Sequence, residues 1–144
     1  MSDIKIKFEQ NGFVIAGLPI VCVEVLNNEY KWLPMYFLVD SGANVCQLTE
    51  SALESLDLDV EEGEIPIYGI AGSVDSPREC TVEVRDPKTK TEFITRKFVV
   101  VPDDVFSILK QDACVTISGI LGTDFFYKND MIINYNKLCL LMEK

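Results

Sequence analysis

The sequence contains no histidine among its 144 residues. Ser-His-Asp and Cys-His catalysis both use an imidazole as proton acceptor, so neither mechanism can be assembled from this chain alone. A zinc site of the usual Cys/His kind is also not expected, because the cysteines are widely spaced and no Cys-x-x-Cys pair occurs. Paired carboxylates remain as the general acid and base of any catalysis.

Basic residues are few: 13 Lys and Arg stand against 23 Asp and Glu, for a net charge of −10. Nucleic acid and anionic membrane surfaces are themselves negative, so neither is expected as a partner. No apolar stretch approaches the roughly 20 residues that a membrane helix requires. The polar N-terminus also lacks the apolar segment of a secretory signal. We therefore expect a soluble cytoplasmic protein.

The cysteines are odd in number, and several lie within apolar runs. A free thiol in such a run behaves as a small hydrophobe. We expect reduced core residues in a reducing compartment, and their spacing disfavours a redox or metal protein. The five are Cys22, Cys46, Cys80, Cys114 and Cys139.

Short apolar segments separated by turn residues predict many short strands. The run from Trp32 to Val39 is continuously apolar and stops abruptly, which is typical of a strand buried on both faces. The other predicted strands are 4–9, 13–16, 20–26, 65–73, 79–84, 92–101 and 115–121, with a closing hairpin from 131–135 and 137–142. Together they predict one mainly β domain over residues 1–144, a barrel or sandwich.

Two or three short helices accompany these strands. The clearest is 49–56, where Thr49 can cap the first turn and Ser51 and Glu54 have the spacing of a capping box. A helical turn is predicted at 105–110, capped by Asp103 or Asp104, and a brief helix at 123–127.

The most informative motif is Asp40-Ser41-Gly42, directly after the apolar run. These are also common turn residues, so a purely structural turn is the alternative. The preceding strand can hold the Asp40 carboxyl in a rigid setting. Gly42 and Ala43 leave room for another backbone to approach closely.

This segment resembles the hallmark of the retropepsin-like aspartic peptidases, in which an apolar strand runs into Asp-Thr/Ser-Gly-Ala. Two further segments match that family in the same order. Residues 68–73 look like the tip of its flap hairpin, and residues 117–126 look like its hydrophobic-hydrophobic-Gly segment with a short helix after it. The resemblance spans roughly residues 20–141 and implies a closed β-barrel or sandwich with a flap.

The resemblance also assigns roles to individual residues. Asp40 is implied as the catalytic acid, the Ser41 hydroxyl as a brace between the two halves of the active site, and Gly42 as a contact to the substrate backbone. No metal or organic cofactor is implied. The implied substrate-binding residues are Ala43, Asn44, Gly69, Ile70, Ala71, Gly72, Ile120 and Leu121.

Only one Asp-Ser/Thr-Gly triplet occurs in the chain, because Asp75-Ser76 is followed by Pro77. The peptidase mechanism needs two carboxyl groups, roughly 3 Å apart, that share one proton. A C2 homodimer supplies the second copy of Asp40, since residues near the axis meet themselves. The expected function is therefore a homodimeric endopeptidase acting on polypeptide.

Three alternatives stay open at this point. Asp124 also follows an apolar run and a glycine, although an acid at a helix start more often stabilises the exposed N–H groups there. The glycines at 69–72 are also compatible with an ordinary hairpin turn. Finally, the same fold is compatible with a catalytically silent peptide-binding or scaffolding dimer.

Overall fold

The computed structural model describes residues 3–10, 13, 17–63, 78–106 and 115–143. The strands are β1 (Ile4–Lys7), β2 (Ile20–Leu26), β3 (Trp32–Val39), β4 (Gln47–Thr49), β5 (Glu61–Glu62), β6 (Arg78–Thr81), β7 (Val84–Arg85), β8 (Lys97–Val101), β9 (Ile117–Leu121), β10 (Met131–Asn134) and β11 (Cys139–Met142). The helices are α1 (Glu50–Leu56), a 3₁₀ turn (Asp103–Phe106) and α2 (Thr123–Lys128).

These strands form two sheets. The larger has the order β5-β6-β8-β4-β9-β3-β2-β7, and the smaller, β1-β11-β10, joins the two ends of the chain. The prediction of a mainly β fold with short helices is confirmed. The described strands form two open sheets, however, and do not close into the expected barrel. The predicted flap lies outside the described residues.

Strands β2 and β3 form the hairpin that carries the chain to Asp40. The Asn27 side chain accepts hydrogen bonds from the N–H groups of Glu29 and Lys31, both at 2.9 Å, and so closes the turn. The strands then pair antiparallel from Ile20 opposite Leu38 onward. The predicted strand over Trp32–Val39 is confirmed with the same bounds.

Apolar side chains cover both faces of the larger sheet. Successive strand residues point to opposite faces, so Phe37 joins one cluster and Leu38 the other. In the same way, Leu121 belongs to the first cluster and Ile120 to the second. We call the second group the minor cluster; its buried members are Ile20, Leu38, Ala43, Val101, Phe106, Ile117 and Ile120.

Helix α1 begins where its sequence predicted. The Thr49 hydroxyl accepts a hydrogen bond from the Ala52 N–H at 3.2 Å, which satisfies one free donor of the first turn. The Ser51 side chain instead donates to Asp103, whose carboxylate also accepts the Ser51 N–H at 2.9 Å. Asp103 therefore ties the 3₁₀ turn to α1.

Several predicted strands differ from the structure, and residues 79–84 are divided between β6 and β7. Phe13 is helical, because its N–H donates to the Glu9 carbonyl at 3.1 Å and its carbonyl accepts from Gly17 at 2.8 Å. The strand predicted at 92–101 is regular only over Lys97–Val101. Before it, the Asn129 side chain bonds both the N–H and the carbonyl of Ile94 at 2.8 Å and takes the place of a neighbouring strand.

In the ranges that the structure describes, no helix combines the length and apolar character needed to cross a membrane.

Candidate active site

Asp40 is held at the end of a parallel pair of strands. Strands β3 and β9 run side by side, with Val39 opposite Leu121. The next residue, Asp40, donates its N–H to the Leu121 carbonyl at 3.1 Å. The Asp40 side chain is half-buried. Its main chain is therefore fixed by the sheet while its carboxyl group still reaches solvent.

The turn after Asp40 orients its carboxyl group. The Gly42 N–H donates to Oδ1 of Asp40 at 2.9 Å, and the Ala43 N–H donates to the Asp40 carbonyl at 3.1 Å. A Cβ atom on Gly42 would lie 3.1 Å from that same Oδ1, so a larger residue would crowd the carboxyl group. The turn that Asp-Ser-Gly favours therefore also holds the Asp40 carboxyl group in place.

The loop from Asp40 to Cys46 then crosses the end of β9, because β4 lies on the far side of β9 from β3. It crosses at Gly122. Two hydrogen bonds from Thr123 anchor the crossing: its N–H donates to the Ala43 carbonyl at 2.8 Å, and its hydroxyl to the Ser41 carbonyl at 3.0 Å. The Gly-Ile-Leu-Gly-Thr segment therefore supports the Asp-Ser-Gly loop directly.

A thiol–carboxylate contact lies beneath this crossing. The Cys46 thiol donates to Oδ1 of Asp124 at 3.4 Å, and its sulfur accepts the Gly122 N–H, also at 3.4 Å. Burial, with the nearby Asp124 charge, raises the pKa of Cys46 well above its usual value. Burial also raises the pKa of Asp124, against the lowering effect of its hydrogen bonds with Cys46 and Phe125.

Asp124 lies in the first turn of α2, where its Oδ1 accepts the Phe125 N–H at 2.7 Å. This contact supports the structural interpretation of Asp124 over a catalytic one. Sequence reasoning treated Cys46 only as a core residue and missed its contact with Asp124. The two residues are 78 positions apart, and no local pattern links them.

The predicted substrate-binding residues fall into three groups. Asn44 is exposed and lines a cavity of about 280 Å³ together with Arg96 and Asp124. Ala43, Ile120 and Leu121 are buried, so in this structure they form the apolar support of the loop and not an open wall. The residues of the predicted flap tip lie outside the described part of the chain. They are Gly69, Ile70, Ala71 and Gly72.

Direct substrate contact by any of these residues remains a prediction, as does the bracing role of the Ser41 hydroxyl. Ser41 itself is exposed beside the fixed Asp40. Across the described ranges, no three Cys, Asp or Glu side chains gather closely enough to hold a metal ion. The site offers a carboxyl group that the hydrogen bonds of its own turn orient.

Comparison with known proteins places this geometry in a family. A sequence model described as aspartyl protease matches residues 23–125, which include both the Asp40 loop and the β9 segment. The chain therefore belongs to the aspartyl protease family, and its resemblance to the retropepsin-like members is confirmed. A search of the curated proteins gave no match.

Solved structures that are similar to this chain come from several sources. A retropepsin-like aspartic protease from Rickettsia conorii has a TM-score of 0.53 and 19% identity, covering 97% of this chain and 89% of its own. The retroviral protease-like domain of Ddi1 from Leishmania major gives 0.49 and 20%, covering 83% and 84%. EIAV protease complexed with the inhibitor HBY-793 gives 0.47 and 22%, covering 74% and 84%. The Rickettsia structure supports the fold.

Proposed function

We propose that this chain is one half of a homodimeric aspartic endopeptidase, with Asp40 of each copy forming the catalytic pair. The observation that carries the proposal is the fixed position of Asp40, whose main chain bonds to Leu121 and whose carboxyl group is oriented by Gly42. Asp40 is thus fixed by the neighbouring strand β9 as well as by its own turn. Membership of the aspartyl protease family supports the same interpretation.

The chemistry follows from two carboxyl groups close to a two-fold axis. Two carboxylates roughly 3 Å apart cannot both ionise, so the pair holds one proton over a range of pH. The ionised group takes a proton from water, and the protonated group gives its proton to the carbonyl oxygen of the scissile bond. When the tetrahedral intermediate collapses, the leaving nitrogen takes a proton from the pair. The amide bond is thereby hydrolysed without a covalent enzyme intermediate.

The substrate is an extended polypeptide. An extended backbone pairs with the edges of strands, and alternate side chains occupy pockets on either side. Gly42 suits such an approach, because it is exposed and adds no side chain beside the Asp40 carboxyl group. Asn44, exposed two residues later, is a second candidate contact for such a peptide.

Digestion of a peptide library between acidic and neutral pH tests the proposal. Asp40→Asn should lower kcat by at least about 100-fold, the scale of lost general acid–base catalysis, while the variant stays folded and dimeric. Asp124→Asn is the matched control, an acid-to-amide change beneath the same loop that should retain activity. Sedimentation should find wild type and both variants as dimers.

Full cleavage by Asp40→Asn, or full activity in a chain that sediments as a monomer, would rule out the proposal. Dimers that bind peptides but cleave none at any pH would establish the silent peptide-binding protein instead.

A further inference from the structure

An open cavity of about 280 Å³ lies beside the proposed catalytic loop. Two of its lining residues, Asn44 and Val45, belong to the loop that begins at Asp40. Asn44 comes four residues after Asp40, so the two lie at most about 14 Å apart. Asn44 is also exposed, so a molecule in the solvent can reach this wall of the cavity. The other lining residues are Glu79, Arg96, Lys97, Val99 and Asp124.

A side chain of a bound peptide can extend into this cavity. An extended backbone advances about 3.3 Å per residue, so residues two to four positions from the scissile bond lie about 7–13 Å from the catalytic pair. These distances are of the same order as the span from Asp40 to Asn44. Val45 and Val99 offer apolar surface to the stem of such a side chain. The cavity is therefore suited to one side chain of the proposed substrate.

The four charged residues that line the cavity balance one another, so its selectivity depends on which of them is free to bind. Lys97 forms an ion pair with Glu61. Oδ1 of Asp124 already accepts two hydrogen bonds from the chain beneath it. Glu79 is half-buried, and the end of its side chain lies beside Gly63, where a Cβ atom would meet it. Three of the four charges are therefore engaged or turned towards other parts of the chain.

The fourth charged residue, Arg96, is exposed at the cavity. Its side chain has no hydrogen bond or ion pair within the part of the chain that the structure describes. The two other arginines of the sequence, Arg78 and Arg85, are each paired with a glutamate. Burial raises the pKa of Asp124, and the charge of Arg96 is one of the influences that oppose this rise. The free guanidinium therefore lies close enough to the cavity to act on its other groups.

We infer that Arg96 makes the proposed peptidase select substrates with an acidic side chain, Asp or Glu, within about four residues of the scissile bond. A guanidinium holds a carboxylate through two parallel N–H···O bonds, and the same contact with an uncharged carboxamide is weaker. A Lys or Arg side chain at that position meets the like charge of Arg96. The inference rests on the proposed function.

Peptides that carry Glu, Gln or Lys at a single position, moved stepwise along a cleaved sequence, test the inference. At one position, wild type should cleave the Glu peptide with about a 5-fold higher kcat/KM than the Gln peptide, the effect of an ion pair at a site open to solvent, and the Lys peptide least well. The preference should shrink in high salt, because screening weakens such a pair.

Substitutions at Arg96 assign the preference to this residue. Arg96→Gln should remove the preference for Glu, and Arg96→Glu should transfer it to the Lys peptide. Arg78→Gln is the matched control, because Arg78 is an exposed arginine outside the lining of the cavity, and it should keep the wild-type preference.

A Glu preference that survives Arg96→Gln overturns the inference, as does a wild type that prefers Lys or does not distinguish Glu from Gln at any position. Calorimetry of the same peptides with Asp40→Asn and with Asp40→Asn/Arg96→Gln separates this result from failure of the proposed function. Glu-selective binding that the second substitution abolishes upholds the acidic preference of the site even where wild type cleaves no peptide. Cleavage without Glu selectivity overturns the inference and leaves the peptidase standing. The absence of both binding and cleavage overturns both.

Discussion

A Cβ atom on Gly122 would lie 2.6 Å from the carbonyl oxygen of Val45. This close approach is where the Asp40 loop passes over the end of β9 on its way to β4. The same Cβ would lie 2.9 Å from the Ala43 carbonyl. The carbonyl groups of Ala43 and Val45 therefore lie directly against Gly122. The crossing is possible because Gly122 has no side chain.

Gly122→Ala should displace the Asp40 loop. The contacts of the added methyl are with backbone atoms, which cannot rotate away, so we expect a loss of about 1–3 kcal/mol in the free energy of unfolding. At a temperature where the variant is fully folded, we also expect a lower kcat, because a displaced loop moves the Asp40 carboxyl group. Urea unfolding and peptide cleavage measure the two effects.

Gly63→Ala is the matched control for that substitution. Its added methyl would meet the end of the Glu79 side chain, which is flexible and can move aside. It should leave both stability and cleavage close to wild type. Equal effects from the two substitutions would contradict a special role for the crossing at Gly122.

Asp124→Asn should change how stability depends on pH. Burial raises the pKa of Asp124 above its usual 3.8, so the folded chain holds this proton more tightly than the unfolded chain. The stability that protonated Asp124 contributes is then fully present below pH 3.8, and it is lost as pH rises through the folded pKa. Urea unfolding across this range should show wild type losing stability relative to Asp124→Asn. A constant difference between the two would show that Asp124 does not titrate in this way.

The buried thiols should resist alkylation. Burial, with the nearby Glu79 charge, raises the pKa of Cys80 to about 11, and the pKa of Cys46 is also raised. Because the thiolate is the reactive form, iodoacetamide at pH 7.5 should modify Cys80 on the order of 100-fold more slowly in the folded chain than in urea. Cys22, which is only half-buried, should react before Cys46 and Cys80. Peptide mass spectrometry reports each site, and rapid modification of Cys46 in the folded chain would contradict its enclosed position.

The ion pair between β2 and β7 should contribute to stability only above acidic pH. Nε of Arg85 donates to Oε1 of Glu24 at 2.7 Å, and the Arg85 guanidinium lies 4.3 Å from the centre of the Trp32 ring. The hydrogen bond from Arg85 is the main cause that lowers the pKa of Glu24 below 4.5. The stabilisation is therefore present above pH 4.5 and is lost as pH falls through the lower, folded pKa.

Glu24→Gln should accordingly cost up to about 1 kcal/mol at pH 7, with a difference from wild type that shrinks in acid and in high salt. Chemical unfolding at several pH values measures this. Glu29→Gln is the control, since Glu29 pairs with Lys31 at 3.9 Å on the exposed surface and should have little effect. A Glu24→Gln deficit that is the same at pH 3 and pH 7 would exclude an ionic origin.

Local chemistry explains which parts of the fold could be predicted. Strand β3 was predicted with its observed bounds because a continuous apolar run ended at turn residues. Helix α1 was predicted because Thr49 supplies its cap within three residues. The strand predicted over 13–16 was wrong at Phe13, the one of its residues that the structure describes, since bonds to Glu9 and Gly17 make that residue helical. Apolar content alone does not distinguish a short strand from a helical turn.

The sequence by itself determined that Asp40 follows a buried strand, that one such triplet occurs per chain, and that a Gly-Ile-Leu-Gly segment comes later. These features depend on neighbours a few residues apart. Only the tertiary structure decided that Gly122 carries the Asp40 loop and that Cys46 meets Asp124. The reason is physical: β9 enters the sheet between β3 and β4, so contacts at the site join segments that no local pattern connects.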